Sequence, residues 1–133
     1  NSFYVVQLPE TDRIWLLGDS ISLEEGTIKE VLHLIDSYKP EIMSVNTANR
    51  DLDEESGLYR DYNIVLDKFG WHLTLTGATI YSRNAISAIG DVKPELFKNF
   101  LQLALMFNFL PKDCSFFLDK KNGNLFSPKQ VIG

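Results

Sequence analysis

The apolar residues of this chain form short continuous runs that alternate with helically spaced positions, which is typical of an α/β domain. Continuous runs at residues 3–8, 14–17 and 41–45 predict strands. The run at 14–17 is apolar throughout, as expected of a strand buried on both faces of a parallel sheet. Because a helix is predicted between the second and third runs, their order indicates a right-handed βαβ unit.

The predicted helix between these strands has its own start and stop signals. Ser22 is the expected N-cap, and Glu25 follows three residues later, which is the spacing of a capping box. Pro40 ends the helix, because a proline keeps the residue before it out of the helical region. One apolar stripe is expected to face the sheet, formed by Ile28, Val31, Leu32 and Ile35.

The second half of the chain predicts a polar loop followed by alternating elements. Residues 46–62 have little apolar content and many acids, which indicates a surface loop. After it we expect a helix at 64–69 ended by Gly70, and a strand at 73–81 broken by Gly77. A helix at 83–89 ended by Gly90, a long helix at 95–109 and a hairpin at 116–126 are expected to follow. The long helix is apolar on nearly every face, so it belongs either in the core or against a partner.

Composition and charge exclude several classes of function. A length of 133 residues allows one domain with a core. The net charge of −5 argues against nucleic-acid binding by the chain as a whole, because phosphate affinity needs a basic surface. No apolar run is long enough for a transmembrane segment. The single cysteine, Cys114, excludes an internal disulfide and fits a reducing compartment.

Three stretches together resemble the family 2 glycosyltransferases. They are Trp-Leu-Leu-Gly-Asp at residues 15–19, Pro-Glu-Ile-Met-Ser-Val-Asn at 40–46 and the segment 69–83, which reads Phe-Gly-Trp-His-Leu-Thr-Leu-Thr-Gly-Ala-Thr-Ile-Tyr-Ser-Arg. The resemblance covers about residues 12–110 and implies transfer of a sugar from a nucleotide-sugar donor to a glycan acceptor, as in polysaccharide biosynthesis. It also implies a partial GT-A (Rossmann-like) fold, a three-layer sandwich fragment with a mixed sheet.

The length of the chain bears on this resemblance. In the family, the βαβ units that hold the nucleotide base precede the acidic motif, and only about a dozen residues precede Trp15 here. We therefore expect residues 1–133 to be a single domain that corresponds to the second half of a GT-A domain, or a truncated relative. By the same resemblance, the expected location is cytoplasmic or peripheral at the inner face of a membrane.

The resemblance places the donor and any metal at the turn after residues 14–17. Asp19 matches the first acidic position of the family motif, where a carboxylate holds a divalent cation against the donor diphosphate, and Ser20 stands beside it. Ile21 fills the third position, where the family has a second carboxylate, so binding of Mg²⁺ or Mn²⁺ is expected to be weakened or absent. Asp19 alternatively serves only the geometry of the turn.

A borrowed carboxylate could replace the missing ligand. The acids available for this are Asp51, Asp53, Glu54 and Glu55 of the polar loop. The competing interpretation is that these acids form a solvated surface.

The resemblance implies an acceptor side built from the third stretch. Trp71, His72 and Gly77 are the expected substrate contacts, although Trp71 is equally consistent with a core residue. Asp91 and Glu95 are the candidate general bases, and their competing interpretation is acids that suit a helix N-terminus.

Two hypotheses of different class follow. One is a glycosyltransferase fragment of the family 2 type. The other is a non-catalytic α/β binding or assembly module derived from that fold, with the apolar helix at 95–110 as its docking surface for a partner.

Overall fold

The computed structural model describes residues 10–17, 23–46, 54–74, 77–88 and 101–120, with side chains from 103 in the last range. Within these ranges the chain forms one five-stranded sheet between two helical layers, in the strand order β1-β4-β2-β5-β3. The strands are β1 Arg13–Trp15, β2 Ile42–Val45, β3 Gly57–Tyr59, β4 Thr79–Ser82 and β5 Phe116–Asp119. The helices are α1 Thr27–Tyr38, α2 Tyr62–Phe69, α3 Arg83–Ala88 and α4 Leu101–Asn108.

The sheet is mixed, and its strand directions decide which loops meet. β1 and β2 are both antiparallel to β4, which lies between them, so β1 and β2 run the same way. β5 is parallel to β2, and β3 is antiparallel to β5. The carboxyl ends of β1, β2 and β5 therefore share one edge of the sheet, where β3 and β4 begin.

Each face of the sheet is covered by its own hydrophobic core. The first core lies under α2, α3 and α4, and the second lies under α1. Side chains alternate between the two faces along each strand, so Phe116 belongs to the first core and Phe117 to the second. This arrangement is the predicted three-layer α/β sandwich with a mixed sheet.

Helix α1 starts later in the chain than the pattern predicts, and a different set of its side chains faces the sheet. Residues 23–26 are not helical, so the predicted capping box at Ser22 and Glu25 does not begin the helix, although Ser22 itself lies outside the described residues. Gly26 stands at the N-cap with φ 85° and makes no side-chain cap. Of the predicted stripe, Ile28 and Leu32 are 50% and 57% exposed. The other two members, Val31 and Ile35, do pack against the sheet, and Leu34 joins them in the second core.

The predicted strands differ from the observed ones in their pairing and in their bounds. β1 is half-buried and antiparallel to its neighbour β4, not fully buried in a parallel sheet. The strand predicted at 73–81 begins only after Gly77, because His72–Thr74 forms a 3₁₀ turn. β3 lies inside the segment that the sequence predicts as loop. Residues 3–8 lie outside the described ranges.

Of the hairpin predicted at 116–126, residues 121–126 lie outside the described residues, and the pairing of the first arm, β5, is not that of a hairpin. β5 pairs with β2 on one side and β3 on the other, so neither side of β5 is left for a hairpin partner over Phe116–Asp119. A short apolar strand followed by Asn-Gly favours a hairpin locally. In the structure, β5 pairs instead with β2, which is distant in the sequence.

Helices α2 and α3 confirm the predicted helices at 64–69 and 83–89 over the described residues, and α4 confirms the predicted helix at 95–109 from residue 101, since 89–100 lie outside the described residues. Asp61 caps α2, accepting a hydrogen bond at 2.9 Å from the Asn63 backbone nitrogen. In α4, Ala104, Leu105 and Met106 are buried in the first core, as the core interpretation of this apolar helix requires. Over the described ranges, no helix has the length and hydropathy needed to cross a bilayer.

Candidate functional site

The edge where β1, β2 and β5 end is the place where an open α/β sheet ordinarily holds a polar ligand. β2 is followed there by Asn46, and β5 closes with Asp119. Both side chains are largely buried, with Asn46 at 7% and Asp119 at 2% exposure. Two polar residues thus close two adjacent parallel strands at this edge.

Backbone hydrogen bonds tie these strand ends together. The Asn46 backbone nitrogen donates to the Asp119 carbonyl at 3.1 Å, and its side-chain amide donates to the Lys120 carbonyl at 3.4 Å. The Lys120 nitrogen donates to the Ser56 hydroxyl oxygen at 2.9 Å. Because Ser56 immediately precedes β3, the ends of three neighbouring strands form one connected unit.

The other half of the edge is joined through the turn before β4. The Trp15 indole nitrogen donates to the Gly77 carbonyl at 2.9 Å, which connects the end of β1 to the start of β4. Gly77 has φ 91°, a left-handed conformation that favours glycine. The predicted role of Gly77 as a substrate contact remains a prediction, and its observed role is this backbone turn.

His72 lies beneath this edge and has no exposed surface. Its Nε2 donates to the Val45 carbonyl at 2.9 Å, so the ring supports the end of β2 from within the protein. The sequence predicts a sugar contact for His72. That contact remains a prediction, and the structure adds that the side chain supports the edge through Val45.

Trp71 is half exposed, which makes the core interpretation of this residue wrong. Its indole nitrogen donates to the Lys68 carbonyl at 3.1 Å, and its ring meets the His72 ring edge-on with centroids 5.6 Å apart. The ring is therefore fixed while part of its surface faces solvent, and its predicted contact with a sugar remains a prediction.

Four of the predicted site residues lie outside the described ranges: Asp19, Ser20, Asp91 and Glu95. Ile21, which breaks the acidic motif, lies outside them too. The chain on either side of the Asp19 turn is described, and both Leu17 and Leu23 pack against the second core. The described residues on both sides of Asp19 therefore pack on the α1 side of the sheet.

Metal-ligating side chains do not converge within the described part of the chain. There, no three His, Cys, Asp or Glu side chains come together in a group that could hold an ion. Of the acidic loop, Glu54 and Glu55 are described, and Glu54 forms an ion pair at 3.9 Å with the half-exposed Lys68. That contact fits the solvated-surface interpretation of Glu54.

Two described groups with raised pKa values, Tyr81 and Cys114, lie away from this edge. Burial in the first core raises the pKa of Tyr81. Burial, and secondarily the charges of Asp61 and Asp113, raises the pKa of Cys114. Neither group is therefore prepared as a nucleophile or base at the candidate site.

Sequence reasoning missed Asn46 and Asp119 as members of this edge. The available signal was a polar residue closing a short apolar run, since residues 42–45 and 116–118 are almost wholly apolar. That signal is weak alone, because only the parallel pairing of β2 with β5 brings the two residues together.

Comparison with known proteins gives a likeness at the level of the fold. No family model matches the chain, and no curated protein sequence matches it. Among solved structures, the crystal structure of S. aureus TarS 1–349, a glycosyltransferase, superposes with a TM-score of 0.66 at 12% identity. The superposition covers 93% of this chain and 38% of TarS 1–349, so the chain spans well under half of that protein. The described fold is therefore glycosyltransferase-like.

Proposed function

We propose that this chain is the acceptor-side half of a family 2 type glycosyltransferase, which transfers a sugar from a nucleotide-sugar donor to a glycan acceptor. The observation that carries the proposal is the polar edge at which β1, β2 and β5 end, since Asp19 follows β1 in the sequence. The glycosyltransferase-like fold supports it, as does the order of the three sequence stretches along the chain.

In this proposal the Asp19 turn faces the donor diphosphate. Ser20 contributes a hydroxyl beside it, which can donate to a phosphate oxygen. Ile21 offers no oxygen at the third position of the acidic motif, so we propose that any divalent cation at this turn is held weakly.

The acceptor lies on the side of Gly77 and Trp71. Deprotonation of the attacking hydroxyl requires a carboxylate within hydrogen-bond reach, and Asp91 and Glu95 are the proposed candidates. Trp71 offers a half-exposed ring for the apolar face of a sugar. Behind that face, His72 supports the end of β2 through its hydrogen bond to the Val45 carbonyl.

Calorimetric titration with nucleoside diphosphates tests the proposal on the longest natural protein that contains this chain. We expect saturable heat that the substitution Asp19→Ala weakens, with little change on adding Mn²⁺. Asp36→Asn is the matched control, because Asp36 is an exposed acid on α1 away from this edge. Absence of heat in the full-length protein would favour the non-catalytic module instead.

A further inference from the structure

A cleft of about 610 Å³ opens on the α1 face of the sheet, beside the corner where β5 ends and β3 begins. Leu34 of α1 and Phe117 of β5 line its apolar part, and the exposed His33 lines its outer side. Among the described residues, α1 is the only helix that contributes to the second core. A single helix therefore covers this face of a five-stranded sheet, and the flank over β5 and β3 stays partly open.

The apolar surface of the cleft continues along α1 and β3. Tyr38 follows Leu34 by one helical turn, is 48% exposed and holds its ring against Phe117, with the ring centroids 4.6 Å apart. Leu58 is only partly buried, and it points to the same face as Phe117 because the two residues are cross-strand partners. An apolar groove, the flank groove, therefore runs between α1 and the edge strand β3.

The chain itself leaves the sheet at one end of the flank groove. Lys120 is held there, because its backbone nitrogen donates to the Ser56 hydroxyl oxygen at 2.9 Å and Ser56 lines the cleft. Residues 121–133 follow and lie outside the described ranges. Their first large apolar residue is Leu125, and five residues of chain span at most about 18 Å. The groove is therefore within reach of this segment.

The composition of residues 121–133 suits an apolar groove. The segment has two adjacent pairs of large apolar residues, Leu125 with Phe126 and Val131 with Ile132. It has two lysines and no acidic residue, so the net charge of −5 on the whole chain does not oppose its docking. Contact with the groove would remove the exposed part of Tyr38 from water together with the apolar side chains of the segment, which is the main driving force for such packing.

We infer that residues 121–133 dock in the flank groove, with Leu125 and Phe126 as the side chains that fill the cleft. Docking closes the α1 side of the polar edge and leaves that edge open on the side of Trp71. It is independent of donor binding, because neither the groove nor the segment contains a residue assigned to the donor.

Disulfide cross-linking of the intact protein tests this docking. One variant combines His33→Cys with Ser127→Cys, and its control combines Asp36→Cys with Ser127→Cys, both in a Cys114→Ser background. Asp36 belongs to the same helix but lines a different cleft, toward β1 and β4. We expect the pair that includes position 33 to form an intramolecular disulfide at least about tenfold faster than the control pair, because only that pair is brought together by docking.

Thermal unfolding gives a second readout that needs no added cysteine. Leu125→Ser combined with Phe126→Ser should lower the midpoint by about 5 °C, because the groove then loses its apolar cover. Lys121→Ala combined with Asn124→Ala changes the polar start of the same segment and should leave the midpoint within about 2 °C.

The possible outcomes decide between this occupant and others. Equal cross-linking rates at positions 33 and 36, or equal midpoints of the two double variants, would overturn the inference. Disulfides that form only between molecules would overturn it too, because a second copy would then occupy the groove. Intramolecular cross-linking at position 33 in a protein that binds no nucleoside diphosphate would support the docking while the proposed function fails.

Discussion

The two histidines of this chain occupy opposite environments. His33 is exposed on α1, whereas His72 is fully buried and donates to the Val45 carbonyl. Replacing His72 by Ala removes this hydrogen bond and leaves a cavity beneath the end of β2. We expect a loss of about 2–4 kcal/mol in the free energy of unfolding, measured by urea denaturation.

His33→Ala is the matched control for this measurement. An exposed helix position should change the free energy of unfolding by no more than about 0.5 kcal/mol. Equal effects of the two substitutions would contradict the supporting role assigned to His72.

Cys114 gives a prediction about pH. Burial raises the pKa of its thiol, the nearby Asp61 and Asp113 add to that effect, and the thiol lies 3.8 Å from the Tyr59 carbonyl, to which it can donate. Since the folded protein holds the thiol proton more tightly, folding gains from this group at neutral pH. The gain is lost as pH rises from the ordinary thiol pKa through the raised one.

Thiol reactivity measures this shift directly. The rate of reaction with a disulfide reagent should rise with pH later in the folded protein than in the urea-unfolded protein. Superimposable pH profiles would show that the folded environment does not affect the thiol.

Local signals in the sequence were sufficient to predict some helices and strands but not others. α2 and α3 match their predictions within about two residues, because an apolar pattern and a nearby stop residue define each of them. β3 has only three residues and depends on its pairing with β5, which no local pattern encodes. The candidate edge could not be predicted for a similar reason, because only the pairing of β2 with β5 brings Asn46 and Asp119 to the same edge.

The start of α1 shows how backbone conformation can override a capping signal. Gly26 has φ 85°, and a side chain added there would meet no atom within 4 Å. Gly26→Ala should therefore be destabilising for conformational reasons alone, by about 1 kcal/mol. Gly26→Asn should be less destabilising, because Asn tolerates the left-handed region better.

Thermal or urea unfolding of both Gly26 variants checks this prediction. Glu25→Ala is a suitable control, because Glu25 is exposed and precedes the same helix. If Ala and Asn at position 26 had equal effects, the left-handed conformation would not be the cause of the instability.

At the scale of the whole molecule, the sheet separates two hydrophobic cores, and no side chain of the described residues belongs to both. Phe116 and Phe69 are both fully buried in the first core and stack with ring centroids 5.4 Å apart. Val31 is buried in the second core, on the opposite face. Contacts within one core should therefore be coupled energetically, and substitutions on opposite faces should add independently.

A double-mutant cycle tests that division. Phe69→Leu and Phe116→Leu together should show an interaction free energy of about 0.5–1.5 kcal/mol, because each single substitution already breaks the stacked pair. Phe116→Leu with Val31→Ala should be additive within about 0.5 kcal/mol. All variants should keep a single cooperative urea transition, because both cores rest on the same five strands. Coupling across the sheet as strong as coupling within one core would mean that the sheet transmits packing changes between its faces.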